Sequence, residues 1–215
     1  MIKVLLVDDH AILREGLKLI LADSDDIEVV GEASDGMEAL RLMRKLDIHV
    51  MVMDMTMPGR SGLELLKQIK SDQPKLPVLI LSMHSEEQYA IRAYKAGASG
   101  YLTKESASTL LVSAIRKAAS GGIFISPASA ERMAMEFNSN TSSGDKPPHT
   151  LLSDREFQIF KLLADGQGLT EIANRLSVSV KTISTHKTHI LQKMQLTTNA
   201  DLIRYAIKHQ LLDMP

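Results

Sequence analysis

A chain of 215 residues with a formal net charge of −1 and 44% hydrophobic residues holds one large globular domain or two ordinary ones. It contains no cysteine, which excludes disulfides, thiolate metal sites and cysteine nucleophiles, and the near-zero charge excludes a wholly basic nucleic-acid coat or an acidic tail. No apolar stretch approaches the roughly 18 residues that span a membrane, and Met1-Ile2-Lys3-Val4 enters a strand at once, leaving no room for a signal peptide; a soluble, cytoplasmic protein is expected.

Lys3–Val7 reads as a buried strand and Asp8-Asp9-His10 as a polar turn. Ala11–Leu21 carries Ile12, Leu13, Leu17, Ile20 and Leu21 at helical period. Ile27–Ala33 is a second strand and Gly36–Leu46 a second amphipathic helix. Val50–Met53 is a near-continuous apolar run that ends in Asp54 and breaks at Pro58, Gly59 and Gly62, as expected of a central strand buried on both faces. A helix over about Leu63–Ile69 follows, then a strand at Val78–Ser82, a helix at Glu86–Ala96, a short strand at Gly100–Thr103 and a helix at Thr109–Ala119. Strands alternating with helices in this way predict βαβ units, a five-stranded parallel sheet and helices on both faces.

After Gly121-Gly122 the pattern changes. Pro127–Phe137 has the composition of one more helix, and Asn138–His149 that of a flexible linker. Residues 1–122 hold 17 acidic and 15 basic side chains, residues 149–215 hold 6 and 8, an asymmetry that permits a DNA-binding end without proving one. The expected division is therefore 1–122, a linker over 123–148, and 149–215. In the last part, Ser153-Asp154-Arg155-Glu156 is a capping box opening a helix with Phe157, Phe160, Leu163 and Ala164 inward, closed by Gly166. Glu171–Leu176 is a short helix, Ser177-Val178 a tight turn, Ser179 the cap of a longer helix to Met194, and Thr198 or Asn199 the cap of a last helix through about Gln210. Two helices joined by so short a turn suggest a helix-turn-helix, whose second helix would enter the major groove.

In a parallel sheet with its first and third strands adjacent, Asp8, Asp9 and Asp54 converge at the carboxyl rim, where ligands of open α/β sheets bind. Each residue alone reads as an ordinary turn or strand end. Together, the carboxylates repel one another, and a hard divalent cation such as Mg2+ relieves the repulsion. No histidine is expected to converge there, which argues against zinc. A magnesium-bound carboxylate facing Lys104 and the Ser82 hydroxyl suits phosphoryl transfer, with Asp54 as nucleophile.

Val7-Asp8-Asp9-His10, Met53-Asp54-Met55-Thr56-Met57-Pro58-Gly59, Ile80-Leu81-Ser82 and Gly100-Tyr101-Leu102-Thr103-Lys104 resemble the receiver domain of two-component response regulators. All the signature positions match, over residues 1 to about 122. The resemblance implies a flavodoxin-like, doubly wound α/β fold, with Asp54 as phosphoacceptor. It implies Mg2+ held by Asp8, Asp9, Asp54 and the Thr56 backbone carbonyl, Lys104 pairing with the phosphoryl group, and Ser82 and Tyr101 as the switch pair. Most receivers carry proline after the lysine, in a cis peptide; Glu105 stands here, so a trans bond is expected.

On the helix Val180–Met194, Ile183, Ile190 and Met194 recur at core spacing, and the opposite face carries Lys181, Thr182, Ser184, Thr185, Lys187 and Thr188. Lys181 and Lys187 suit phosphates, while the hydroxyl residues suit base edges or thymine methyls. From this stretch alone, a capped amphipathic helix with a solvated polar face reads equally well. Leu152-Ser153-Asp154-Arg155-Glu156, Glu171-Ile172-Ala173 and Val180-Lys181-Thr182-Ile183-Ser184-Thr185-His186 are, however, similar to the LuxR-type helix-turn-helix of the NarL/FixJ response regulators, over about residues 149–212. Gly168 stands where that family has Ser or Thr as a cap, at little cost. The likeness implies a four-helix DNA-binding domain, a structural role for His186, and a dimer contact through the last helix. It also implies a sensor histidine kinase, double-stranded DNA and RNA polymerase as partners, with no membrane.

The expected function is a transcription factor phosphorylated on Asp54 and binding DNA as a homodimer, not a turnover enzyme. One rival is a magnesium-dependent aspartyl phosphatase, which needs an acid/base carboxylate two residues after the nucleophile, where Thr56 stands. The other is a constitutive DNA-binding dimer whose receiver is only a scaffold.

Overall fold

The computed structural model describes residues 1–57, 61–83, 86–127, 129–131, 147–209 and 211–212. The chain divides into two compact units, Met1–Ser139 and Asn140–Pro215.

In the first unit, β1 (Ile2–Val7), α1 (Ala11–Ala22), β2 (Ile27–Ala33), α2 (Gly36–Met43), β3 (Val50–Asp54), α3 (Gly62–Asp72), β4 (Val78–Ser82), α4 (Glu86–Lys95), β5 (Gly100–Thr103) and α5 (Ala107–Ala119) alternate without exception. The five strands are all parallel in the order β2-β1-β3-β4-β5, the doubly wound flavodoxin-like arrangement expected from the sequence. Both faces of β3 and β4 are buried, which is why these strands read as continuous apolar runs rather than alternating ones. Val4, Leu6, Val50, Val52, Leu79 and Leu81 pack with Leu17, Leu21, Leu111 and Ile115 of α1 and α5. The alternate positions Leu5, Met51, Met53 and Ile80 are equally buried, on the face where α2 packs on β1 and β2.

The register positions the rim. Val7 pairs with Met53 and Asp54 with Leu81, so Asp8 and Asp54 leave neighbouring strands at one level. Ser82 pairs with Thr103, the residue before Lys104. Gly62 opens α3 under the loop that follows Asp54, and its N–H donates to the Met55 carbonyl at 3.2 Å. A Cβ there would lie 2.5 Å from the Met55 oxygen, which only glycine avoids.

Three local expectations are revised. α2 ends at Met43, not Leu46, because Lys45 and Leu46 turn back with both N–H groups on the Leu42 carbonyl. Ile12 is 89% exposed; Leu13, Leu17, Ile20 and Leu21 form the inward stripe, and Ile12 lies off it around the helix. Past α5, Phe124 bridges in parallel to Gly100, its N–H donates to the Ser99 carbonyl at 2.8 Å, and its carbonyl accepts from the Tyr94 hydroxyl at 2.9 Å. Chain assigned to the linker thus belongs to the sheet edge. Of the helix expected at Pro127–Phe137, residues 127 and 129–131 are helical; the rest, with linker residues 138–146, lies outside the described residues, as do Pro58, Gly59 and Arg60.

The second unit begins with a 3-10 turn, Pro148–Leu151, followed by α6 (Asp154–Ala164), α7 (Leu169–Arg175), α8 (Val180–Met194) and α9 (Asn199–Lys208). The expected capping box of Ser153 with Glu156 is formed, and of the two candidates for the last helix Thr198 rather than Asn199 is the cap, in a box with Asp201. Gly166, at φ +84°, turns the chain after α6, and Ser177, at φ 52°, does so between α7 and α8. Phe157, Phe160, Ile172, Ile183, Ile190, Leu202 and Ala206 form the core.

Candidate functional site: an acidic pocket and an exposed helix face

Asp54 is 2% exposed at the end of β3. Its Oδ1 accepts the Thr56 N–H at 3.0 Å and its Oδ2 accepts from Lys104 Nζ at 2.8 Å. The same ammonium lies 2.8 Å from Asp8 Oδ2, an ionic contact out of hydrogen-bond alignment. Asp8 Oδ1 accepts the His10 N–H at 2.8 Å. Lys104 reaches this position because its own N–H is fixed to the Ser82 carbonyl at 2.8 Å.

Two buried carboxylates cost several kcal/mol each unless paired. The surrounding core, at about 1.5–3 kcal/mol per buried aliphatic side chain, has to carry what one lysine does not offset. Burial pushes the Asp54 carboxyl up from its ordinary value, against the opposing pull of Lys104 and the Thr56 N–H. Burial works to lower the Lys104 ammonium, but the hydrogen bond to Asp54 and the charges of Asp54 and Asp8 overcome it and hold its pKa above the usual lysine value.

Asp8 Oδ2 and Asp9 Oδ1 are buried oxygens without a directed hydrogen bond. One oxygen each from Asp8, Asp9 and Asp54 and a ring nitrogen of His10 lie within 4.8 Å of one another. An acidic pocket with convergent carboxylate oxygens, two of them buried and not committed to a directed hydrogen bond, fits a hard divalent cation. The expectation that no histidine converges is corrected: His10 Nδ1 lies 2.9 Å from Asp9 Oδ1 and 3.2 Å from Asp8 Oδ1. The reason is local, since His10 is the residue before α1 and its ring folds over the loop that carries both carboxylates.

Ser82 and Tyr101 are both fully buried, on adjacent strands. Thr56 is half-buried. Lys104 and Glu105 are joined by a trans bond. The loop after them closes on Thr103, whose carbonyl accepts from the Ser106 N–H at 3.1 Å and the Ser106 hydroxyl at 3.0 Å. Sequence reasoning missed Arg14, which donates from Nη1 to the Asp8 carbonyl at 2.6 Å and from Nε to Glu32 at 3.1 Å. Only its place one turn into α1 hinted at this.

On α8, Lys181, Thr182, Ser184, Thr185 and Thr188 are exposed, while Ile183, Ile190 and Met194 are buried. The expected place of Lys187 on the opposite face is corrected: four residues after Ile183 and three before Ile190, it flanks the buried stripe and is half-buried. Ser179 caps the helix through the Thr182 N–H at 3.0 Å, and the two hydroxyls lie 2.7 Å apart, so the Thr182 hydroxyl is engaged in the cap. The Thr185 hydroxyl donates to the Lys181 carbonyl at 3.0 Å and that of Thr188 to the Ser184 carbonyl at 3.1 Å. With the proton so committed, each meets an incoming group as an acceptor or a methyl. His186 is half-buried. Lys193 Nζ donates to Glu156 Oε2 at 2.6 Å, tying α8 to the cap of α6.

Comparison with known proteins agrees with both halves. Residues 4–116 match the response regulator receiver domain, and residues 150–206 match the bacterial regulatory proteins of the luxR family. The chain belongs to the two-component response regulators with a LuxR-type helix-turn-helix. It is 40% identical to the oxygen regulatory protein NreC of Staphylococcus carnosus (strain TM300), over 98% of this chain and 99% of that protein. Identity to the NreC of Staphylococcus haemolyticus (strain JCSC1435) is 37% over the same shares. Among solved structures, the response regulator RcsB of Salmonella typhimurium aligns over 96% of this chain and 97% of its own at 28% identity and a TM-score of 0.70. RcsB bound to promoter rprA with phosphomimetic BeF3- aligns over 95% and 98%, at 29% identity and a TM-score of 0.64. Among the described residues, no helix is long and apolar enough to cross a membrane.

Proposed function

We propose that this response regulator is phosphorylated on Asp54 by a sensor histidine kinase and thereby controls the binding of its helix-turn-helix unit to double-stranded DNA. The observation that carries the proposal is the Asp54–Lys104–Asp8 arrangement, with the ammonium at 2.8 Å from both carboxylates. An Asp54 carboxylate oxygen would attack the phosphorus of the kinase's phosphohistidine; the P–N bond breaks as the Asp54 P–O bond forms, and the leaving imidazole takes up a proton from solvent. Lys104 would exchange one carboxylate partner for a phosphoryl oxygen, and Ser82 and Tyr101 would register the change.

Asp8, Asp9, Asp54 and the Thr56 carbonyl would hold Mg2+, which when bound neutralises charge on the transferring oxygens. Lys181 and Lys187 would contact DNA phosphates; Thr182, Ser184, Thr185 and Thr188 would face the bases, Thr182 chiefly through its place in the cap. A homodimer on two half-sites is supported by the resemblance to RcsB, whose dimers have been solved on DNA. Cytoplasmic residence, contact with RNA polymerase and the absence of steady turnover complete the proposal. Thr56, standing where an aspartyl phosphatase needs its acid/base carboxylate, weighs against that rival.

Incubation with a small phosphodonor and Mg2+, read by intact mass, tests the site. One phosphoryl group is expected on the wild type and none on Asp54→Asn; undiminished uptake by the variant refutes the assignment. Steady release of inorganic phosphate over many turnovers would favour the phosphatase, and equal DNA affinity with and without phosphorylation would favour the constitutive dimer.

A further inference from the structure

We infer that Arg14 is a positioning residue for the divalent-cation site: it braces the loop that carries Asp8 and Asp9, and Glu32 and Lys18 brace Arg14 in turn. The inference rests on the acidic pocket being a magnesium site. The loop from Asp8 to His10 has to hold two carboxylates close together against their repulsion, and strand pairing ends at Val7. The Asp8 N–H is still tied to β2, through the Ala33 carbonyl at 3.1 Å. Its carbonyl is held by Arg14 Nη1 at 2.6 Å, so both backbone polar groups of Asp8 are fixed.

Arg14 is only 16% exposed, and its Nε bonds Glu32 Oε2 at 3.1 Å. Glu32 stands on β2 opposite Leu6, one step before the Val7–Ala33 pair. Lys18, one helical turn beyond Arg14, reaches the other oxygen of Glu32 at 2.7 Å and also Glu15 at 2.6 Å. The guanidinium fork thus spans from α1 to β2 with the metal-binding loop between them, a geometry a lysine point charge does not reproduce.

Positioning and plain electrostatics predict opposite signs. A cation beside a cation site repels the incoming ion, so if Arg14 acted through charge alone, neutralising it would tighten Mg2+ binding. If it acts as a brace, its loss lets the carboxylates spread and weakens binding, by about tenfold on the scale of other groups that support metal ligands. Arg14→Lys, which keeps the charge and loses the fork, should also weaken binding, though less.

The test is calorimetric titration of Mg2+ into the full chain: wild type, Arg14→Gln, Arg14→Lys and Asp9→Asn, with thermal unfolding measured without metal. Weaker binding in both Arg14 variants, at unchanged metal-free unfolding temperature, supports the brace. So does a phosphorylation defect in those variants that disappears at saturating Mg2+. Tighter binding in Arg14→Gln with wild-type affinity in Arg14→Lys overturns it, as do wild-type affinities in both. If Arg14→Gln does not fold, Arg14→Lys alone decides: wild-type affinity overturns the brace and weaker affinity supports it. A wild type that takes up no Mg2+, or an Asp9→Asn variant that binds it unchanged, would instead remove the magnesium reading beneath.

Discussion

Lys104 and Asp54 meet at 2.8 Å from opposite sides of β4, and the same ammonium stands 2.8 Å from Asp8. One positive charge therefore serves two buried negative ones. Removing it strands both carboxylates, so Lys104→Met should destabilise the metal-free receiver unit by about 3–5 kcal/mol. Asp54→Asn acts in the other direction. Burial disfavours the Asp54 charge, as the upward displacement of its pKa records, and neutralising it without changing its shape should raise the unfolding temperature of the metal-free protein. Added Mg2+ should narrow both differences from the wild type. Thermal unfolding with and without Mg2+ checks all of this; a Lys104→Met protein as stable as the wild type would show that the pair is not needed in the fold.

Gly62 gives a second expectation. A Cβ at this position would press within 2.5 Å of the Met55 carbonyl oxygen, a backbone atom that cannot swing aside. Gly62→Ala should cost about 1–3 kcal/mol, as overpacking does, and should slow phosphorylation because Met55 directly follows Asp54. Denaturant unfolding and phosphodonor labelling measure the two effects, which are expected together. A stable protein labelled at the wild-type rate would mean that the loop relaxes without consequence.

How far the sequence carried depended on how local the cause was. The limits of Val78–Ser82 could be read to the residue because a continuous apolar run ends there in a turn residue, and those of Ile27–Ala33 and Gly100–Thr103 because polar turn residues or a charged side chain bound them on each side. Asp54 and Lys104 stood out because each stands at the end of a strand. The Ser153 cap was visible because its partner Glu156 lies three residues away, while Thr198 and Asn199 could not be told apart until the Thr198–Asp201 box was formed. Arg14 was invisible because its partners, Asp8 and Glu32, meet only once β1 and β2 are paired. His10 was misjudged although it adjoins the two aspartates, because ring orientation is set by the turn into α1 and not by spacing. Thr182 looked like any exposed threonine on α8 until the Ser179 cap claimed its hydroxyl.

A third expectation concerns acid. Burial tends to raise the Glu156 pKa, but the Lys193 ammonium and the Ser153 N–H and hydroxyl outweigh it and hold the carboxyl below its ordinary value of 4.5. Because the folded pKa is the lower one, the stabilisation is complete above about pH 4.5. It is lost as pH falls through the folded value. Glu156→Gln should therefore flatten the acid limb of the stability curve of the helix-turn-helix unit. Lys193 is 43% exposed, so solvent screens its share, and Lys193→Ala should cost about 1 kcal/mol or less at neutral pH. Calorimetry of the full chain across the acid range resolves this; an unchanged acid limb in Glu156→Gln would contradict it.

The last expectation concerns which residues of α8 carry affinity and which carry specificity. Lys181 is exposed on the face away from Ile183, Ile190 and Met194, whereas Lys187, one turn from both Ile183 and Ile190, is half-buried at the edge of that stripe. Each phosphate contact contributes about −0.9 to the slope of log affinity against log salt. Lys187→Ala should thus weaken binding to all DNA sequences alike and flatten that slope by about one unit. Thr185 should behave differently. Its hydroxyl proton is committed to the Lys181 carbonyl at 3.0 Å, so it can meet a base only as an acceptor from an exocyclic amine or as a methyl against a thymine. Thr185→Val keeps the branched shape and a methyl but discards the acceptor. If the contact is with thymine, this variant should keep the operator preference that Thr185→Ala loses; if it is with an adenine or cytosine amine, both variants should lose it. Binding titrations of the three variants on a panel of operator substitutions, each at several salt concentrations, separate these outcomes. A Lys187→Ala protein with an unchanged slope would show that Lys187 does not meet a phosphate.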